Sequence, residues 1–562
     1  MISVSGKDWE EEYIIKRLVE KIKIDHSLND IQAKIILSRN YSKEEIYLIK
    51  NKIDLKNPFH NTKDFLLACE LLKKNLKNQN KILIIGDYDV DGCMSTSLLV
   101  NFLKEKNANI DYFIPDRFKD GYGASKDLVI KLIKQFDPKL IIFLDCGSSS
   151  YDATEYINTK KIQTLIIDHH NTKYPYPVVN VFINPKKNSE YKNYDYLCTT
   201  FLTYLFIDLY IKLTNDVFSI QNNLILVLLA TVSDVMPIRG INKILSKKVL
   251  SEFDIDKNFV LKNISKKLNI KKKLELYELG YKIGPVLNAA GRLSNANLIV
   301  ELFTTKSNNR ILEILEYICK LNNQRKLIEQ KILNDLEFDQ FYNENDIIFI
   351  HKSYLHEGLI GIIASRIKEY FDKPCLVLTN KKNILKGSAR STTNFNIGEL
   401  IQETNKLGIT LSGGGHNLAA GVSLKKTKLS LFKGYLNRNY KTKTNRSKNF
   451  YTSIISHKSI NNEFIEKIDI LGPFGNKNPI PIFLIQDVKF IKKSVVKNLY
   501  ISCFIKKDTK IIKSISFNHL KSKISYEILN SMNSFDVLVK IKSNKWNNKS
   551  SIELEIIDLI KK

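Results

Sequence analysis

Between Lys81 and His170, short runs of consecutive apolar residues alternate with segments of helical period, and three of the runs stop at an acidic residue. Runs at 82–86, 110–114, 140–144 and 163–167 read as strands; 94–105, 124–135 and a short piece near 151–157 read as helices. Strands without polar alternation are covered on both faces, so the pattern predicts an α/β fold with a parallel sheet between helical layers. Sheets of this kind carry their sites beyond the C-terminal ends of the strands. Asp87, Asp145 and the Asp168-His169-His170 triplet all fall there.

The remaining chain divides by composition. A length of 562 residues predicts about three or four domains. Residues 1–54 read as a helical region, with mixed three and four spacing over 31–48 that breaks near Asn40 and Ser42. The β/α series, led in by a helix over 65–76, occupies 55–245 and ends with a strongly apolar helix over 223–231, which delivers Ser233 and Asp234 before Pro237 stops it. A lysine-rich helical connector over 246–338 includes a long amphipathic helix at 311–336. A smaller α/β unit follows at 339–440: strand 346–350, helix 361–370, strand 375–379, Gly387-Ser-Ala-Arg390, helix 396–406 and Gly413-Gly-Gly-His416. After a polar stretch at 438–449, residues 450–562 carry short strands between turns, the pattern of a small β-barrel such as an oligonucleotide-binding one.

Composition sets limits on function. No segment approaches the ~18 uninterrupted apolar residues of a membrane span, and Glu10, Glu11 and Glu12 stand where a signal peptide needs its apolar core, so a cytoplasmic protein without membrane attachment is expected. Seven scattered cysteines suit reduced, core-packed thiols rather than zinc or disulfides. A net charge of +28 favours a polyanionic partner. Part of that excess is a general lysine and asparagine bias, visible at 73–81 and 544–550.

In Gly86-Asp-Tyr-Asp-Val-Asp-Gly92 three aspartates alternate just past a strand. If the backbone stays extended, their carboxylates share one side, and a cation relieves the repulsion. Gly92 permits a tight turn into the helix expected from Met94. The alternatives are a solvated acidic turn or a calcium loop; the latter lacks its later glutamate. Asp145 adds a carboxylate at the same sheet edge, or caps a turn. Adjacent histidines cannot share a side of an extended strand, so one is read as a metal ligand and the other as facing substrate, able to support a phosphate oxygen when protonated. Asp168 orients an imidazole or closes the turn. Asp234 ends a buried apolar segment, where an uncompensated carboxylate is costly. Oxygen-rich donors with few imidazoles favour two Mn²⁺ or Mg²⁺ ions, which orient a hydroxide for in-line attack on a phosphate ester without a protein nucleophile.

In this order the motifs resemble the DHH phosphoesterase superfamily, and within it the RecJ family of single-stranded-DNA-specific 5′ to 3′ exonucleases. The likeness extends through Ile114-Pro-Asp-Arg117, Gly121-Tyr-Gly123, Gly284 to Ala296, His356 to Arg366, Gly387 to Ser391 and Gly413 to His416, over about 55–480. It implies that Asp89, Asp91, Asp145, His169 and Asp234 hold two metals, Asp145 bridging, with Asp87 a ligand or a neighbour of ligands and His170 catalytic. It also implies a second domain, of the DHHA1 kind, closing over the first to form a channel too narrow for duplex. In that channel Arg117, Ser388 and Arg390 are candidates for the 5′-phosphate, with His416 nearby; His356 contacts substrate or caps the helix beyond Gly358, and Arg292 contacts substrate or only pairs with an acidic residue; the glycines at 413–415 either expose backbone donors to phosphate or form only a tight turn. Arg366 and Asn295 are weaker candidates, and Met94 and Phe118 are read as packing.

The C-terminal domain resembles the family's oligonucleotide-binding barrel, which extends the grip on the strand; Tyr500, Phe504 and Trp546 either stack on bases or fill the barrel. Lys477 stands where the family usually has glycine, so a positive φ there would be strained. Expected partners are single-stranded DNA and, by resemblance alone, a single-strand-binding protein and a RecQ-like helicase, with the chain a monomer in recombination and repair. Two other readings stay open: a superfamily phosphoesterase for pyrophosphate, cyclic dinucleotides or short oligonucleotides, and a DNA-binding replication scaffold without catalysis.

Overall fold

The computed structural model describes residues 1–117, 119–120, 123–187, 189–270, 273–335, 347–443, 448–518, 520, 522–546 and 549–561. Phe118, Gly121, Tyr122, Leu336, the boundary at 338–339 and the side chain of Trp546 therefore lie outside the description. The chain forms two compact units. One holds Asp54–Pro237 and Ile244–Thr442, the other Met1–Ile53, Ile238–Lys243 and Lys443–Lys562. Among the described residues no helix is long and apolar enough to cross a membrane.

The first unit is built on five parallel strands: β1 (Ile82–Ile85), β2 (Ile110–Phe113), β3 (Leu140–Leu144), β4 (Gln163–Ile167) and β5 (Val181–Ile183). Their order across the sheet is β2-β1-β3-β4-β5. All four residues of β1 are fully buried, as unalternating apolar strands require. Leu83, Ile85, Ile141, Phe143 and Ile166 pack against Leu128, Val129, Leu132 and Ile157. The register aligns Ile85 with Phe143 and Leu144 with Ile167, so Asp87, Asp145 and Asp168 leave the sheet from one edge. Strand β5 escaped the sequence reading because three residues carry too little periodicity.

Three helices close on that edge: α1 (Val90–Glu105), α2 (Thr199–Thr214) and α3 (Leu224–Ser233). Helix α1 begins four residues before the position expected from Met94. Asp89 is its N-cap, accepting from the amides of Asp91 and Gly92, so the extended path assumed for the three aspartates ends at the second. Gly92 lies inside the helix, and glycine is needed there for another reason: a Cβ would sit 2.5 Å from the backbone N and O of Asp87.

Later in the unit come α4 (Gly284–Leu293) and the long α5 (Asn308–Asn334). A second sheet has order β9-β10-β8-β7-β6, from β6 (Ile348–His351), β7 (Cys375–Lys381), β8 (Ile384–Arg390), β9 (Ser412–His416) and β10 (Ala419–Lys425). Helix α6 (Ile360–Phe371) covers Cys375 and Val377 on one face, while α7 (Ile397–Lys406) helps cover Leu376, Leu385, Ala389 and Val422 on the other. Gly413 to Gly415, read as turns, are instead part of the edge strand β9, paired antiparallel with β10.

In the other unit, β11 (Ile482–Val496), β12 (Tyr500–Lys507), β13 (Lys510–Ser516), β14 (Phe535–Trp546) and β15 (Lys549–Lys561) close into a barrel through pairing of β11 with β14. Ile501, Cys503 and Ile505 point inward. Tyr500 and Phe504 alternate with them and stay partly exposed, so they do not fill the barrel. Tyr500 lies 5.6 Å from Phe517, and the Lys492 ammonium stands 5.8 Å above the Phe504 ring. The N-terminus joins this unit: Asp8–Glu11 pairs with Lys448–Tyr451, and buried Asp558 accepts from Ser3 and from the Trp9 indole. Lys477 takes φ 58°, so the turn keeps the left-handed residue that favours glycine.

Candidate metal centre

The acidic edge of the first sheet collects the residues singled out above. Asp87 follows β1, Asp89 and Asp91 straddle the start of α1, Asp145 follows β3, His169 and His170 follow β4, and Asp234 caps the C-terminus of α3. Ligand-type atoms of Asp87, Asp89 and Asp145 lie within 4.8 Å of one another, as do those of Asp91, His169 and Asp234, and of Asp145, His169 and His170. His169 Nε2 is 3.3 Å from carboxylate oxygens of both Asp145 and Asp234.

Two backbone features mark these positions. Asp145 sits at φ 62°, and Val235, directly after Asp234, at φ 56°. A left-handed valine is costly for a β-branched residue; the chain turns sharply at Asp145 just past β3 and again just past Asp234. The two imidazoles, expected on opposite sides, lie with ring centroids 4.8 Å apart, both near Asp145. The strand has ended at Ile167, so strand alternation no longer applies. Asp168 both orients and closes: it receives the amides of Ser148, His169 and His170 and bonds His170 Nδ1 at 2.7 Å.

Electrostatics favour a cation here. Burial and then Asp89 push the Asp87 carboxyl up to about 8. Burial, reinforced by neighbouring aspartates, raises Asp145 and Asp234 well above the ordinary range. Burial holds His169 down at about 4, which keeps the imidazole neutral with a free lone pair. His170, although burial opposes its charge, is raised to about 9 by Asp168. Among the described residues, Asp87 Oδ1, Asp145 Oδ2, Asp234 Oδ2 and His169 Nδ1 are buried without hydrogen-bond partners. Such atoms cost free energy unless something occupies their lone pairs. Carboxylate oxygens with neutral imidazole are the donor set for divalent manganese or magnesium, so the residues fit the metals expected from the sequence.

A second constellation is basic. Arg117, Arg292 and Arg390 repel one another: burial and then Arg117, Arg325 and Arg390 bring the half-buried Arg292 guanidinium down to about 10. Arg117 lies 5.0 Å over the Tyr88 ring, and Arg390 donates to the Ser388 hydroxyl at 3.0 Å. A Cβ on Gly361 would meet Arg390 Nη2 at 3.1 Å and Ser388 Oγ at 3.2 Å, so the helix approaches this pair closely. His356 accepts from the Gly358 amide, and its pKa is lowered by burial and by Arg117. His416 Nδ1 bonds Asn171 at 2.9 Å, next to the His169-His170 pair. Arg366 is instead spent on Glu329 at 2.8 Å, and Asn295 accepts from Asn297.

Sequence reading missed Thr199, Thr200, Asn171 and Lys186. The two threonines bond the aspartates directly, and Lys186 stands within electrostatic reach of Asp168 and Asp234. No spacing signal marks any of them, because each reaches the site only through the fold.

Known proteins share the domain composition of this chain. Residues 81–231 match the DHH family N-terminal domain, 345–441 the DHHA1 domain and 453–558 the RecJ OB domain. The chain is 27% identical to the single-stranded-DNA-specific exonuclease RecJ of Bacillus subtilis, over 97% of this chain and 69% of that protein. It is 30% identical to the exonuclease of the same name from Escherichia coli, over 65% of this chain and 67% of that protein. The crystal structure of RecJ from Thermus thermophilus in complex with Mn²⁺ superposes with a TM-score of 0.84 at 20% identity, covering 99% of this chain and 80% of that one. The three domains in their order, and the extent of the identity, place the chain in the RecJ family of the DHH superfamily.

Proposed function

We propose that this protein is a metal-dependent exonuclease that hydrolyses single-stranded DNA from its 5′ end. The observation that carries the reading is the set of buried, unpartnered carboxylate and imidazole acceptors at one sheet edge, with a cluster of mutually repelling arginines in the same unit. Asp87, Asp89, Asp91, Asp145, His169 and Asp234 would hold two divalent ions, Mn²⁺ or Mg²⁺, which when bound activate water and neutralise charge on the phosphoryl transition state. Relatives named for single-stranded-DNA exonuclease activity, and RecJ structures in complex with Mn²⁺ and with Mg²⁺, support this assignment.

The chain's own groups supply the rest. His170, its charge held by Asp168, presents a cation able to support a phosphate oxygen. Arg117, Arg292 and Arg390, with Ser388, offer guanidinium and hydroxyl donors for a terminal phosphate, the anion their mutual repulsion calls for. His356 and His416 lie beside these groups as further substrate contacts. The outward Tyr500, Phe504 and Phe517 with Lys492 suit stacking and backbone contact with an unpaired strand. A cytoplasmic monomer acting in repair and recombination, with a single-strand-binding protein and a RecQ-like helicase as partners, completes the reading.

The decisive assay uses single-stranded DNA blocked at one end or the other, with Mn²⁺ supplied. Degradation is expected when the 3′ end is blocked and none when the 5′ end is. Attack only from the 3′ end would remove the polarity, and hydrolysis confined to cyclic dinucleotides or pyrophosphate would remove the substrate.

The metal site also predicts a stability profile. A carboxyl with a raised folded pKa keeps a proton that the unfolded chain releases, so folding weakens as pH climbs from near 3.8 through about 8 for Asp87. His170 acts with the same sign: its contribution is whole below about 6.5 and lost through about 9. The melting temperature of the metal-free protein should therefore be lower at pH 9 than at pH 6.5, with Mg²⁺ removing most of the difference. A metal-free protein that gains stability over that interval would contradict the site.

A further inference from the structure

We infer that Thr199, at the first turn of α2, is a positioning residue for the metal centre: its hydroxyl fixes Asp145 while the helix end on which it sits fixes Asp91. The inference rests on the metal-site reading above and names a determinant that the ligand motifs do not contain.

Both oxygens of Asp91 are held by this helix end. Oδ2 accepts from the Thr199 amide at 2.7 Å; Oδ1 accepts from the Thr200 amide at 2.8 Å and lies 2.6 Å from the Thr200 hydroxyl. The first amides of a helix have no partner within it and lie at its positive end, so a carboxylate placed there is both satisfied and oriented. The Thr199 hydroxyl donates to Asp145 Oδ1 at 3.0 Å. That bond, like the one from the Thr200 hydroxyl to Asp91, differs from those made by hydroxyls further inside the helices around the site. Ser95, Thr96, Ser97 and Thr231 all donate back to carbonyls of the preceding turn, the usual habit of such side chains. Thr199 has no preceding turn, so its proton is available across the site.

Asp91 and Asp145 belong to different candidate ligand groups, one with His169 and Asp234, the other with Asp87 and Asp89. Thr199 is bonded to both aspartates, by its amide to one and its hydroxyl to the other, and is fully buried, so it keeps the two carboxylates in a set relation. With the hydroxyl gone, Asp145 loses the donor that fixes its Oδ1, leaving, among the described residues, the imidazoles of His169 and His170 as the donor-type side chains beside it. Groups that orient ligands typically change metal affinity by about 10 to 100-fold.

The test is calorimetric titration of the metal-free protein with Mn²⁺, alongside its melting temperature. Thr199→Val keeps the shape and the backbone amide and removes only the hydroxyl; Thr199→Ala removes the same group and serves if the valine variant folds poorly. Either should weaken Mn²⁺ binding by about tenfold or more while the metal-free protein still melts cooperatively, and Thr199→Ser should restore the parent's affinity. Mn²⁺ binding by the valine or alanine variant that matches the parent would overturn the inference. So would a serine variant as weak as valine, because the hydroxyl would then not be the acting group. A parent protein that binds no Mn²⁺ would instead refute the metal-site reading itself.

Discussion

Replacing Asp145 by asparagine is expected to lower turnover on single-stranded DNA by at least about 10³-fold with Mn²⁺ at saturation, a loss of several kcal/mol of transition-state stabilisation. Asp145 is shared by two of the three candidate ligand groups, so its loss disturbs both. Asparagine is the informative substitute because the residue sits at φ 62°, a conformation asparagine tolerates and alanine does not. The change also removes a buried carboxylate that its neighbours repel, so the metal-free variant should melt at or above the parent's temperature. Activity and stability then move in opposite directions, which a misfolded variant cannot imitate. Cleavage within about twofold of the parent's rate, well under one kcal/mol, would end the proposed role of Asp145.

Arg390→Met should reduce the preference for a 5′-phosphorylated over a 5′-hydroxyl strand by about 10 to 100-fold in kcat/KM, the worth of a charge-assisted hydrogen bond to a buried anion. Arg390 and Ser388 are half-buried, and Arg390 lies among like charges, Arg117 and Arg292, whose repulsion a bound anion relieves. Methionine keeps much of the packing volume. The discriminating result is the ratio between the two substrates: an equal fall for both would mean that Arg390 shapes the sheet rather than reads the phosphate.

The legible parts of this protein were those that local sequence dictates. Unalternating apolar runs at 82–85 and 140–144 could only be buried strands, and the buried sheet follows from them. The position of Asp87, Asp145 and His169 at one edge follows in turn, since parallel strands in register end together. The apolar helix that ends at Asp234 was legible for the same reason. Local readings failed where a regular element stops. The aspartates were placed by an extended backbone that α1 interrupts at Val90, and the imidazoles by a strand alternation that ends at Ile167. The glycines of 413–415 looked like a turn because their strand is held by its neighbour β10 rather than by any preference of its own.

By itself, the sequence determined which residue types could carry the chemistry and the elements on which they ride, because burial period and motif order are properties of a single segment. Tertiary structure alone decided which lone pairs remain unpartnered, how far Asp87, Asp145 and Asp234 are pushed from their ordinary charge, and that a threonine more than fifty residues from either Asp145 or Asp91 holds both of them. Those are properties of distance and burial in a low-dielectric interior, and they exist only once segments remote in the chain have been packed side by side.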